Sequence, residues 1–83
     1  MKARIVVMLK EGVLDPQGKA VAGALHELGY AEVGEVRIGR VIELEMEGGN
    51  GARERLEGMC RRLLANPVME EFRIELTDAG RNE

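Results

Sequence analysis

Three kinds of hydrophobic patterning follow one another along this chain. Ile5, Val6, Val7, Met8 and Leu9 form an unbroken apolar run between Arg4 and Lys10. Five apolar residues, three of them β-branched, are too few for a helix and fit a strand covered on both faces. The run is therefore predicted to be a central strand, with one face open to another subunit. From Asp15 the period lengthens, and Val21, Ala24, Leu25 and Leu28 fall on one side of a helix, away from Lys19, His26 and Glu27. Asp15 fits the N-cap and Pro16 the first helical position. Gly29 fits the residue just past the helix end. Gly18 inside the first turn costs roughly 1 kcal/mol against alanine. Its presence predicts a close backbone approach, either from the chain's own packing or from a partner or ligand.

The period then shortens to two. Val36, Ile38, Ile42, Leu44 and Met46 share one parity, and Glu35, Arg37, Glu43, Glu45 and Glu47 the other, the pattern of half-buried strand. A two-residue turn at Gly39-Arg40 would put Glu43 and Glu45 on the core side. A three-residue loop, Gly39-Arg40-Val41, pairs Ile38 with Ile42 and sets Arg37 across from Glu43; this hairpin is the favoured reading. The unbroken parity also allows one long bent strand from Val36 to Met46, whose ends could pair with a neighbouring subunit. Gly48-Gly49-Asn50-Gly51 is a loop with Asn50 placed as an N-cap. A second helix carries Leu56, Met59, Cys60 and Leu63 on one face and ends at Asn66-Pro67. Phe72, Ile74 and Leu76 alternate with Arg73 and Glu75 as a last strand.

The order β-α-β-β-α-β, with two right-handed crossovers, predicts an α+β fold. It is a ferredoxin-like two-layer sandwich, with a four-stranded antiparallel sheet and two helices on one face. Residues 1–77 form the single domain, and 78–83 are expected to be a flexible acidic tail. An 83-residue chain buries only about 60–65% of its unfolded surface. With Cys60 as the lone cysteine there is no disulfide to help, so oligomerisation is the expected further source of burial. The homodimer contact is expected on the sheet face that the helices leave open, together with edge-strand pairing.

Composition removes several function classes. A net charge of −3 with only two aromatics, Tyr30 and Phe72, argues against a nucleic-acid binder, which needs a basic face or stacking rings. His26 has no partner at ligand or catalytic spacing, and Cys60 lies within an apolar stripe with no histidine near it, as an inert thiol does. The glycine loop lacks the Walker spacing and its Lys-Ser/Thr. No metal, catalytic or cofactor site is expected. The apolar run at the start is too short for a secretory signal and no segment would span a bilayer, so a cytoplasmic location is expected.

Ordered strings carry a resemblance over nearly the whole chain. They begin with Leu9-Lys10-Glu11 and Val13-Leu14-Asp15-Pro16-Gln17-Gly18-Lys19-Ala20-Val21, followed by Ala24-Leu25-His26 and Leu28-Gly29-Tyr30. Val36-Arg37 with Gly39 and Ile42-Glu43-Leu44 continue them, then Met59-Cys60, Leu63-Leu64-Ala65-Asn66-Pro67-Val68, Glu70 and Arg73-Ile74-Glu75. In these the chain resembles the PurS family, the small subunit of the phosphoribosylformylglycinamidine (FGAM) synthase complex of purine biosynthesis. It departs from that pattern with Arg40 for a lysine, Phe72 for a tyrosine and a loop richer in glycine.

The resemblance implies a non-catalytic assembly subunit, required by a C–N bond-forming ligase that takes its nitrogen from glutamine. It implies a homodimer or a dimer of dimers that joins a synthetase (PurL) to a glutaminase (PurQ) and supports ammonia transfer between them. ATP, Mg and glutamine would be used by those partners, and none by this chain. The first candidates for partner contact are Asp15, Gln17 and Gly18 at the helix start, Gly39 and Arg40, and Arg37 as a salt-bridge residue. Each has a plainer role as cap, turn or surface charge. Pro16, Gly29, Asn66 and Pro67 are expected to be structural. The alternative is a ferredoxin-like small-molecule-binding regulatory module, which would need convergent polar groups in a pocket near Gly18.

Overall fold

In the computed structural model, residues 1–77 are described, and the expected tail 78–83 lies outside them. Strand β1 (Lys2–Leu9) leads into helix α1 (Pro16–Glu27), and the chain returns through β2 (Arg40–Glu45). Helix α2 (Ala52–Met59) follows, continued by a π-helical turn over Cys60–Leu64, and β3 (Glu70–Thr77) closes the described part. The sheet has three antiparallel strands in the order β2-β1-β3. The apolar run therefore does sit at the centre, with Ile5 opposite Ile42 on one side and Ile74 on the other.

No hairpin forms at Gly39, which corrects the favoured reading and the fourth strand with it. Ile42 pairs with Ile5, not with Ile38, and Glu43 faces Arg4 rather than Arg37. The Arg4 guanidinium donates to Glu43 at 2.7 Å, which raises Arg4 and lowers Glu43 from their ordinary pKa values. Gly39 continues the line of β2 along β1: a Cβ there would collide with the Val7 carbonyl and the Met8 sulfur. Ile38 is next, and its N–H donates to Asp15, 23 positions earlier in the chain. Of the two solutions the parity allowed, the continuous one is adopted, although only its second half has a strand partner. Gly39 is a residue of close approach, and no turn is made there.

One row of β1 is fully covered. Ala3, Ile5 and Val7 are buried with Leu56, Cys60, Ala65 and Ile74, while Ile42, Leu44 and Phe72 pack at the margin. The opposite row is not apolar, as a strand covered on both faces requires. Lys2, Arg4, Val6 and Met8 share that face with Val41, Glu43 and Glu45 of β2 and Glu71, Arg73, Glu75 and Thr77 of β3. Apart from Val6, Met8 and Val41, it is a charged or polar surface.

Helix α1 does not join α2 over the sheet. Gly18 is its only buried residue, and Val21 and Leu28 are exposed at 39% and 72%. The described chain measures 49 × 32 × 14 Å with a radius of gyration of 16.3 Å, against about 12 Å for a compact domain of this length. Helix α1 and the returning residues 33–39 thus form an arm beside the sheet, in place of the second helix of a closed sandwich.

The helix ends follow local chemistry. Asp15 caps α1 by accepting from Gly18 N at 2.9 Å. Gly29, at φ +103°, completes a Schellman motif in which Gly29 N donates to His26 O and Tyr30 N to Leu25 O. Asn50 does not cap α2: Gly51, in a left-handed conformation at φ 82°, takes that position without a side-chain bond. At the far end Ala65 N bonds Cys60 O, five residues back, and the wider turn rotates the apolar stripe. Leu63, expected inside, is 82% exposed, while Leu64 is half-buried and Ala65 is buried. Asn66 then closes the turn by accepting from Val68 N on its side chain, at 3.0 Å.

The two leucines of the second helical stretch therefore differ sharply. Leu56→Ala is expected to cost about 2–5 kcal/mol by leaving a core cavity, and Leu63→Ala less than about 1 kcal/mol in the isolated chain. Urea unfolding at one fixed protein concentration measures both. Equal losses would contradict the rotated stripe.

Candidate functional site

The residues singled out from sequence converge where the arm leaves the sheet. After β1 the chain turns at Gly12, whose φ is +88°, with Val13 N bonded to Lys10 O. It enters α1 at Asp15. The returning segment passes beside this entry, and its backbone is held from three directions. Arg37 donates to the Leu9 carbonyl. The Val36 carbonyl lies against Gly18, where any Cβ would strike it. Ile38 N donates to Asp15 Oδ2 at 2.9 Å, while Asp15 Oδ1 takes Gly18 N at 2.9 Å.

The close approach predicted at Gly18 is therefore internal, made by the chain's own backbone. Asp15 likewise has both oxygens engaged. Its carboxyl is held below the usual carboxylate range, first by the Ile38 N–H and then by the Gly18 N–H. Pro16 opens the helix beside it.

Two concavities flank the junction. One, of about 650 Å³, lies between the loop Lys10–Asp15, one side of α1 and residues 34–37. Three of its polar groups are turned to the chain itself: Asp15 and Arg37 as described, and His26, whose ring N–H donates to Val33 O at 2.7 Å; Lys10, Glu11, Lys19 and Glu35 also line it. The other, of about 300 Å³, is lined by Val7, Leu9, Asp15, Pro16, Gln17, Ile38, Gly39, Arg40 and Glu70. Gln17 is exposed at its edge.

Arg40 is the cation of this second region. It reaches Glu70 at 2.9 Å and the Leu64 carbonyl at 2.6 Å. Glu70 also accepts Asn66 N at 2.8 Å, so the pair ties the start of β2 to the end of the π-helical turn and the start of β3. Arg40 and then the Asn66 N–H hold the Glu70 carboxyl below its ordinary value, and Arg40 is raised by Glu70 in turn. The sequence reading placed Arg40 in a turn and gave Glu70 no role. The two lie 30 positions apart in sequence, and nothing short of the fold brings them together.

No acid–base pair or activated nucleophile is formed by this geometry. Cys60 is fully buried, and burial pushes its thiol up, toward the unreactive form. Among the described residues, no three His, Cys, Asp or Glu side chains are grouped to hold a metal, and no helix is long and apolar enough to cross a membrane. What the junction can do is position one part of the chain against another.

Residues 2–78 match the family PurS: phosphoribosylformylglycinamidine (FGAM) synthase. The chain is 47% identical over 78 residues to the FGAM synthase subunit PurS of Bacillus subtilis, covering 93% of each sequence. The solved structure of that protein superimposes with a TM-score of 0.87 and 46% identity, over 93% of this chain and 98% of the other. PurS of Methanocaldococcus jannaschii superimposes with a TM-score of 0.81 at 40% identity, over 89% and 92% of the two chains. It is described as one of the subunits of formylglycinamide ribonucleotide amidotransferase in the purine biosynthetic pathway. A chain in the structure of PurLQS from Thermotoga maritima matches with a TM-score of 0.76 and 34% identity, over 89% of this chain and 93% of that one.

The Arg40–Glu70 tie has a definite pH signature. Glu70 has a folded pKa below its ordinary value of 4.5, so the stability it contributes is complete above that pH and is lost as pH falls through the folded value. Glu70→Gln should lower stability at neutral pH and make the loss on acidification below that ordinary value shallower than in the parent. Denaturant midpoints across that range measure it; a parallel displacement of the whole curve would contradict the assignment.

Proposed function

The chain belongs to the PurS family, and from that premise we propose that it is the non-catalytic assembly subunit of an FGAM synthase in purine biosynthesis. Its partners are an ATP-dependent synthetase (PurL) and a glutaminase (PurQ), which it holds together so that ammonia released from glutamine reaches the synthetase. The observation that carries this reading is the match along 89% of the chain to a subunit solved within PurLQS. The local chemistry agrees with it. The polar groups at the junction bind the chain's own backbone, and the one thiol is buried. ATP, Mg and glutamine belong to the partners in this reading, and the chain takes no cofactor of its own. Its place is the cytoplasm.

The working form is a homodimer, or a dimer of dimers. Two features support a second copy: the exposed apolar face of α1 and a shape too elongated for a closed core. The contact expected on the open sheet face is replaced in this reading, because that face is charged. The arm supplies the contact instead, with Val21 and Leu28 covered by the partner copy. The candidates Gly39 and Arg40, with Gln17, line the smaller concavity at the end of the sheet. The regulatory-module alternative would have to use the larger concavity, where Asp15, Arg37 and His26 are already bonded to the chain's own backbone.

Omission tests the role. Size-exclusion chromatography with light scattering, on the chain alone and mixed with the synthetase and glutaminase in the presence of glutamine and Mg-ATP, should give an oligomer and then a joint peak. Glutamine-dependent synthesis should disappear when this chain is left out and return when it is added back. Partners that associate and synthesise equally well without it would overturn the proposal.

A further inference from the structure

The arm and the sheet meet at two chain crossings, residues 10–15 going out and 36–39 coming back. Three contacts span them: Arg37 to the Leu9 carbonyl, Gly18 against the Val36 carbonyl, and the Asp15 carboxylate. The first depends on a long exposed side chain, and the second only forbids closer approach. Asp15 differs from both. It is a short side chain at the foot of α1, and its two oxygens grip the helix and the returning segment, Gly18 N at 2.9 Å and Ile38 N at 2.9 Å.

We propose that Asp15 is a positioning residue, which latches the returning segment to the foot of α1 and so fixes the angle at which the arm leaves the sheet. An N-cap alone needs one oxygen, and serine supplies it as well as aspartate does. The second oxygen has no part in capping. It joins two segments 23 positions apart in sequence, and neither Asp15 nor Ile38 belongs to the buried core. The arm's direction sets where α1 and its tip at Tyr30 stand relative to the charged sheet face. A subunit that holds two partners at a fixed separation needs such a direction to be rigid. That last step rests on the bridging role proposed above; the latch itself does not.

Two substitutions separate the cap from the latch. Asp15→Ser keeps an oxygen for Gly18 but falls one bond short of Ile38. Asp15→Asn keeps the size and one acceptor, and turns an amide where the second acceptor was. In both, the helix content read by circular dichroism should stay at the parent level. Exchange of the Ile38 amide should quicken by roughly tenfold or more, as loss of one hydrogen bond to a charged acceptor implies. Spin labels at Ala31→Cys on the arm and Glu45→Cys on the sheet, diluted with unlabelled chain, should show a broadened distance distribution. In the assembled complex, synthesis from glutamine should fall several-fold while synthesis from added ammonia is unchanged.

Unaltered Ile38 exchange and an unaltered distance distribution in both variants would overturn the latch. A loosened arm with glutamine-driven synthesis at the parent level would overturn its positioning role. A parent complex that does not need this chain at all would instead count against the bridging role, leaving the exchange and distance results to judge the latch.

Discussion

Both edges of β1 are taken, and the rest of the structure follows from that. Pairing with β2 on one side and β3 on the other places Ala3, Ile5 and Val7 in the middle of a three-stranded sheet, under Leu56 and Cys60. The segment that returns from α1 runs on along the line of β2, beside the last residues of β1 but outside the paired register. Backbone that leaves a ladder must find other partners for its N–H groups. Here Asp15 receives one of them, from Ile38. The arm, its foot and its exposed helix are consequences of how the central strand is satisfied.

Much of this was legible in the chain itself. A β-branched apolar run, a change of period at an Asp-Pro pair, a glycine past the last helical residue and an Asn-Pro stop each act locally, and each element lies where its signal put it. What failed depended on a choice between local and distant pairing. The parity of residues 36–46 suits a hairpin and a continuous strand equally, because parity records a face and not a partner. Leu63 misled for another reason: a single wide turn rotates the stripe, and no periodicity at 3.6 residues anticipates it. The charged residues alternating with apolar ones in β2 and β3 did announce a polar face, but the apolar run of β1 concealed that Val6 and Met8 share it.

The candidate site was legible as a place more than as a set of roles. Asp15, Gln17, Gly18, Arg37, Gly39 and Arg40 all lie around one junction. Yet Gly18 and Gly39 are there so that backbone can pass close by, Asp15 and Arg37 are bound to the chain's own amide groups, and Arg40 is tied to Glu70. Residues that recur in order along a family's sequence can serve the geometry of the subunit as much as its contacts. The well-defined positioning at the junction suits a subunit whose proposed work is done by where its parts stand.

The single chain leaves an apolar helix face in water, with Val21 and Leu28 exposed, and the proposed second copy is what would cover it. Unfolding measured over a hundredfold range of protein concentration tests this most directly, because a fold completed by association gains stability by mass action. The account predicts a denaturation midpoint that rises steadily with concentration, with the exposed faces of α1 protected from hydrogen exchange at the upper end. A midpoint independent of concentration, from a species that scatters light as a monomer throughout, would contradict it.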